Sequence, residues 1–373
     1  MDKKTSKLIV IVFCIFIMSV GVLSFILPYQ DFSELENRYL SIMPKLSWRN
    51  VSSGKYMNDL NSFSSDHIAG RNMWVCIKSV VQLFTGKHEN NNVYFADDGY
   101  LIKRTDTVNN EFVLNNTKYI NEFTNKVDAN VYIGIIPTNA YVLNKKLPPN
   151  APTENEQEII NKIYANSNAS SLDVLDTLLE HNSEEIYYHT DHHLTSLGSY
   201  YIANLIFKKM NLDNLSLNDC TKKVVSDSFY GSNYSYSCAF WAKPDTIETY
   251  VNGKCISCIV YKNGVQSNVN MYAKEYLDKK DKYSYFLGGN QPLIVLKNSN
   301  ITNNSKVLVI RDSYTSSIAP FLTQRFSEVH LIDLRYSKTN VSNYIKENSI
   351  TDIIVLYGFS TYATDKNLVF LKK

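Results

Sequence analysis

From position 8 to position 27 the chain runs for twenty residues without a charge, LIVIVFCIFIMSVGVLSFIL, and Pro28 closes the run. As a helix rising about 1.5 Å per residue, such a run spans about 30 Å, the thickness of a bilayer core. Lys3, Lys4 and Lys7 stand just before it. Positive charge on that flank keeps the short tail in the cytoplasm and places Gln30 onward outside. A cleaved signal peptide has a shorter apolar core and an A-x-A-like site. The run is longer than that, and only a V-L-S stretch offers a weak cut. The reading is therefore an uncleaved anchor, with a secreted form as the alternative. No later stretch is long and apolar enough for a second span.

The formal charge balance is +2, from 38 Lys+Arg against 36 Asp+Glu. Asp2 and the three lysines carry that whole surplus, so residues 28–373 are formally neutral. Nucleic-acid binding ordinarily leaves a strongly basic footprint, so no nucleic-acid partner is expected. With hydrophobic residues at 44% the chain is not a disordered polymer. Outside a membrane disulfides are permitted. Cys220, Cys238, Cys255 and Cys258 fall close enough together for one or two local bridges. The C-x-x-C at 255–258 lacks the second ligand pair that a zinc site needs.

Three blocks follow: 1–27 as tail and anchor, 28–85 as stalk and helical segment, and 86–373 as the main domain. Apolar positions at helical spacing predict helix over 54–85, and 93–102 (VYFADDGYLI) reads as a hairpin. Further helices are expected over 109–127, 154–164, 172–179, 196–210, 316–326 and 341–347. The runs VYIGII (131–136), KVLVI (306–310), VHLI (329–332) and IIVL (353–356) suit strands buried on both faces of a parallel sheet. Their alternation with helices predicts an α/β fold with helices on both sheet faces. Residues 220–298 read instead as a β-rich insertion.

Two short elements carry chemistry. Four of the seven histidines lie between 181 and 193, the tightest part being Thr190-Asp191-His192-His193 before a predicted helix. Ser313 follows the buried strand ending VIRDS and precedes another helix. The carboxyl end of such a strand is where open α/β sheets bind ligands, and helix-start N–H groups there favour a developing anion. A serine hydroxyl needs a base to take its proton. Imidazole suits that task, and a carboxylate fixes its tautomer. Asp191 and His193 can face one way, the acid holding one ring nitrogen while the other reaches Ser313. Read blandly, the D-S pair is a helix cap, and the D-H-H cluster is a hydrogen-bonded turn or a metal site. Asn290, after two glycines, is a candidate oxyanion donor. Arg335 and Arg311 are candidates for substrate contact, and Tyr314 for lining an acyl pocket. Trp48, Trp74 and Trp241 read as packing anchors.

The context Y-H-T-D-H-H-L-T-S-L-G-S-Y-Y around Asp191 and His193 resembles the DHHW protein family of bacterial cell surfaces. So do SELENRYL (33–40), SDHIAGRNMW (65–74), FYG (229–231), PDTIETY (244–250), FLGGN (286–290) and DLRY (333–336). That family is similar to the alginate O-acetylation proteins, whose D-x-H and serine motifs form an SGNH-hydrolase-like triad. The resemblance implies an SGNH-like α/β fold with permuted motif order. It makes Ser313 the nucleophile, His193 the base and Asp191 the orienting acid. Leu194 stands where the family name has Trp, and Arg311 where the acetylation proteins have Gly in a G-D-S motif.

The expected activity is O-acyl transfer, with acetyl as the group, or acetyl ester hydrolysis, on a cell-surface polysaccharide. The expected partners are that polysaccharide, a membrane-bound O-acyltransferase as acyl donor, and the membrane through the anchor. Neither a cofactor nor a metal is expected. A catalytically degenerate polysaccharide-binding or assembly factor, and a metal-dependent phosphoesterase, are the competing readings.

Overall fold

The computed structural model describes residues 2–33, 38–105, 107–251 and 253–372. They form two compact units, one of residues up to Asn91 with Ser235–Trp241, the other of Asn92–Tyr234 with Ala242–Lys373.

In the first unit, helix α1 (Lys3–Ile26) carries the apolar run and is long and apolar enough to cross a membrane. Helices α2 (Lys55–His67) and α3 (Arg71–Phe84) follow. The periodicity over 54–85 looks continuous in sequence, yet Gly70 takes φ 70° and breaks it in two. That left-handed backbone is one glycine adopts without steric penalty. Arg38 makes a bidentate pair with Asp66, at 3.1 and 2.5 Å, and the Ser41 N–H donates to Asp66 at 2.8 Å. The motif segments at 33–40 and 65–74 thus meet, although residues 34–37 lie outside the described residues. Ser79 on α3 and Asn90 both donate to the Ser237 carbonyl, at 2.9 and 2.8 Å, fixing the 235–241 segment to this unit.

The second unit opens with hairpin β1 (Val93–Phe95) and β2 (Leu101–Lys103). Helix α4 (Asn110–Thr124), strand β3 (Asn130–Ile136), helix α5 (Glu156–Ala165), strand β4 (Ser170–Ser171) and helix α6 (Val174–Glu180) follow. Next come α7 (Ser196–Lys209), the ribbon β5 (Lys223–Phe229) with β6 (Asp245–Thr249), then β7 (Ile256–Lys262), β8 (Val265–Val269) and β9 (Leu293–Asn298). Then come β10 (Lys306–Arg311), α8 (Thr315–Leu322), β11 (Glu328–Ile332), α9 (Val341–Asn348) and β12 (Asp352–Gly358), before two short helical turns.

Eight of these strands make one sheet in the order β8-β7-β9-β11-β10-β12-β3-β4. From β11 to β4 the neighbours are parallel; β9, β7 and β8 extend it antiparallel. Successive residues of each strand feed opposite cores. Val307 and Val309 pack with Ile202 of α7 and Ile318 of α8, while Leu308 and Ile310 pack with Ile120 of α4 and Ile345 of α9. The parallel core with helices on both faces is the α/β architecture expected. The stretch 220–298 is β-rich as expected. Its second half extends the large sheet, and among the described residues of the stretch the β5–β6 ribbon forms a separate two-stranded sheet.

The cysteine expectation is corrected: Cys220, Cys255 and Cys258 keep free thiols, so the local bridges expected between 220 and 258 do not form. Two of the tryptophans read as packing anchors, Trp48 and Trp241, lie exposed.

Candidate active site

Strand β10 leads into α8 on one sheet face. Its neighbour β12 leads into Phe359 and Tyr362, which pack on the other face. The two carboxyl ends therefore diverge, the geometry that opens a crevice at the end of a parallel sheet. A buried bond closes its floor, the Gly358 N–H donating to Asp312 Oδ2 at 2.9 Å. Burial pushes the Asp312 carboxyl up, against the opposing pull of that N–H and of Arg335. Asp312 Oδ1 also accepts from the Tyr314 N–H at 3.0 Å, which fixes the turn that presents Ser313.

Residues 189–194 approach that turn from before α7. The His193 Nε2 lies 2.8 Å from Ser313 Oγ, and its Nδ1 lies 2.6 Å from Asp191 Oδ1. Asp191 Oδ1 also accepts from the His193 N–H at 2.9 Å, so one carboxylate oxygen fixes both the ring and its backbone. Oδ2 accepts from the Ser232 N–H at 2.7 Å. Desolvation alone would raise the Asp191 pKa. The His192 and His193 rings and these hydrogen bonds outweigh it and hold the carboxyl well below the ordinary range. Tyr283 stacks on the His193 ring, centroids 3.9 Å apart and planes at 11°, and its hydroxyl bonds Ser317 Oγ at 3.0 Å.

The loop that bears Asp191 is clamped from behind. Asp245, at the start of β6, accepts from the N–H groups of His189 and Thr190, both at 2.7 Å, and from the Thr190 hydroxyl at 2.5 Å. Gly231 sits so close that a Cβ there would lie 2.2 Å from Asp191 Cβ. The FYG and PDTIETY segments thus act on this loop from other parts of the chain. Nothing in their own sequence shows it, and nothing local marks Tyr283.

Of the candidates, the structure brings together Asp191, His193 and Ser313. Tyr314 is buried with its hydroxyl donating to the His192 carbonyl at 3.0 Å, so it ties the two loops together instead of lining an open pocket. Arg311 is fully buried, donating to the Asp312 carbonyl at 3.2 Å and to Ser316 Oγ at 2.9 Å. The cation placed where a glycine was expected braces the start of α8. Arg335 chelates Asp333 at 2.9 and 2.7 Å, an ion pair at a turn. Asn290 is exposed and, among the described residues, makes no hydrogen bond to the other three. Asp191, His192 and His193 offer ligand atoms within 4.8 Å of one another. Their donors are largely committed elsewhere, His193 to Asp191 and Ser313, and His192 Nδ1 to Ser232 Oγ at 2.8 Å.

A family model described as DHHW protein matches residues 92–332. Among solved structures, a DHHW family protein from Eubacterium siraeum is 24% identical at a TM-score of 0.66, covering 76% of this chain and 96% of its own. Bacillus cereus PatB1, solved with a sulfonyl adduct, is 21% identical at a TM-score of 0.63, covering 75% of this chain and 98% of its own. The O-acetyltransferase domain of Pseudomonas putida AlgJ is 13% identical at a TM-score of 0.46, covering 75% and 98%. No curated protein sequence matches the chain.

Proposed function

The chain belongs to the DHHW protein family, and from that premise we propose that it is a serine-dependent O-acyltransferase or esterase acting on a cell-surface polysaccharide. One observation carries the reading: His193 bridges Ser313 Oγ, at 2.8 Å, and Asp191 Oδ1, at 2.6 Å. This is the relay that turns a serine hydroxyl into a nucleophile. The acetyl group is the one implied by the likeness to alginate O-acetylation proteins.

As Ser313 Oγ attacks the carbonyl carbon of an acyl ester, its proton passes to His193 Nε2. The carbonyl electron pair moves to oxygen, and the Ser313 N–H, which donates to no other group among the described residues, faces that charge. Collapse expels the donor alcohol, which takes the proton from His193, leaving an acyl-serine. A sugar hydroxyl then gives its proton to His193 and attacks the same carbonyl; the proton returns to Ser313 Oγ as the ester leaves. Water in place of the sugar gives hydrolysis. Asp191, ionised throughout, holds the ring with Nε2 toward serine and stabilises the imidazolium. The acyl donor is a membrane-bound O-acyltransferase, and the catalytic unit lies outside, held by α1.

The test is turnover of a chromogenic acetyl ester by the full chain, with labelling by a sulfonyl fluoride. Wild type should hydrolyse the ester and take one sulfonyl group on Ser313. Ser313→Ala and His193→Ala should each lose at least about 10²-fold while staying folded. Equal turnover by all three proteins refutes the mechanism. An acetylated sugar product in the presence of an oligosaccharide acceptor marks transfer over hydrolysis.

A further inference from the structure

We infer that α3 is a second membrane element, an amphipathic helix whose outer face is seated in lipid beside α1. The inference rests on α1 staying in the bilayer and concerns a surface that acyl transfer does not use.

Two contacts fix α3 against the anchor. The Ala69 N–H, two residues before α3, donates to Ser24 Oγ in the last turn of α1 at 2.8 Å. Trp74 meets Phe16 edge to face, with centroids 5.9 Å apart. Phe16 lies eight residues before Ser24, about 12 Å further along a helix axis. The first turns of α3 therefore lie beside the apolar half of a bilayer-spanning helix, below its end. A side chain at that depth faces hydrocarbon.

The face that α3 turns outward has the composition such a position needs. Met73, Ile77, Val81 and Phe84 recur at helical spacing and are 53%, 43%, 53% and 87% exposed. Ser79 is buried, holding the Ser237 carbonyl. Ile77 and Val81 lie two residues either side of it and, at 100° per residue, point nearly opposite. One side of α3 therefore holds polar backbone of its own unit, and the other is an apolar stripe continuous with α1. A contiguous exposed apolar stripe marks a membrane or protein contact, and continuity with a spanning helix selects lipid. Arg38 and Arg71, the residue that opens α3, neutralise Asp66, and Lys78 on the flank of α3 turns its ammonium to Asn91 Oδ1 at 3.2 Å. Exposed Trp241, edge to face with Phe240 in the same unit, has the amphipathic ring found at the headgroup level.

The test is photolabelling of the full chain in phosphatidylglycerol–phosphatidylethanolamine vesicles doped with a lipid carrying a diazirine midway along one acyl chain. Adducts are located by mass spectrometry. They should fall on α1 and on Met73, Ile77, Val81 and Phe84, and spare Lys55–Asn58 at the start of α2. The double variant Ile77→Asp/Val81→Asp should cut α3 labelling about tenfold while α1 labelling and ester turnover stay at wild-type level. Adducts on α1 alone overturn the inference and leave the anchor standing. Adducts on neither helix overturn both. Loss of ester turnover with α3 still labelled leaves this inference standing and counts only against the catalytic reading.

Discussion

Gly231 sets how near Asp191 is held to its partners. Any larger side chain would place a Cβ 2.2 Å from Asp191 Cβ and 2.5 Å from Oδ2, so the carboxylate must move. The atom displaced is the one that the Ser232 N–H holds, and Asp191 Oδ1 fixes the His193 ring. Gly231→Ala should therefore act through geometry, lowering kcat about 10²-fold, the scale of a 1 Å misplacement, with little change in KM. Acetyl-ester kinetics would check this, and unchanged kcat would show that Asp191 need not be held so closely. The residues proposed to do the chemistry were legible because they sit in short motifs beside helix starts. Those that hold them were not. Asp245 reaches the 189–193 loop across more than fifty positions and Tyr283 reaches His193 across ninety, and no periodicity links such pairs. Arg311 shows the converse error, where a residue notable in sequence proves to be a brace buried under α8.

At the scale of elements, the parallel strands announced themselves because burial on both faces demands unbroken apolar runs, as in KVLVI and IIVL. Strands β7 and β9 gave no hint that they extend the same sheet, since antiparallel edge pairing follows from topology and not from composition. The start of α5 carries a further consequence. Glu156 is buried there, accepting from the Thr138 N–H at 2.8 Å and the Thr138 hydroxyl at 2.5 Å, and so joins α5 to the turn after β3. Burial pushes its carboxyl up to about 7, outweighing the Thr138 and Thr105 hydrogen bonds that oppose the shift. The folded protein keeps this proton up to about pH 7, whereas an unperturbed glutamate releases it near 4.5. Between those values the unfolded chain binds fewer protons, so stability falls as pH rises through the window and levels off above 7. The loss should be on the order of 3 kcal/mol. Glu156→Gln keeps an acceptor for the Thr138 N–H and should flatten that dependence, gaining on wild type most above pH 7. Denaturant melts at pH 5, 6, 7 and 8 would check it; parallel curves for the two proteins would contradict it.

For the whole molecule, the question is which side of the membrane holds the unit that carries Ser313, and the chain carries its own reporter. The lysines before α1 argue for an outside location, since positive charge stays in the cytoplasm. Cys255 is free and exposed, whereas Cys258, three residues on, is buried in β7 with its thiol pushed up to about 12 by desolvation. Only a thiolate reacts readily with a maleimide, so Cys258 should stay silent. Cys14 lies within the apolar run of α1, and Cys76 and Cys220 are partly buried with thiols raised by the same cause. A membrane-impermeant maleimide added to intact cells should therefore label Cys255 first, and Cys255→Ser should remove most of the signal. With that unit inside, labelling would appear only after the cells are opened. Replacing Lys3, Lys4 and Lys7 with glutamate tests the cause. If those charges set the orientation, the variant should show a larger protected fraction on intact cells, because the feature that confines the first segment also decides on which side the unit carrying Ser313 lies.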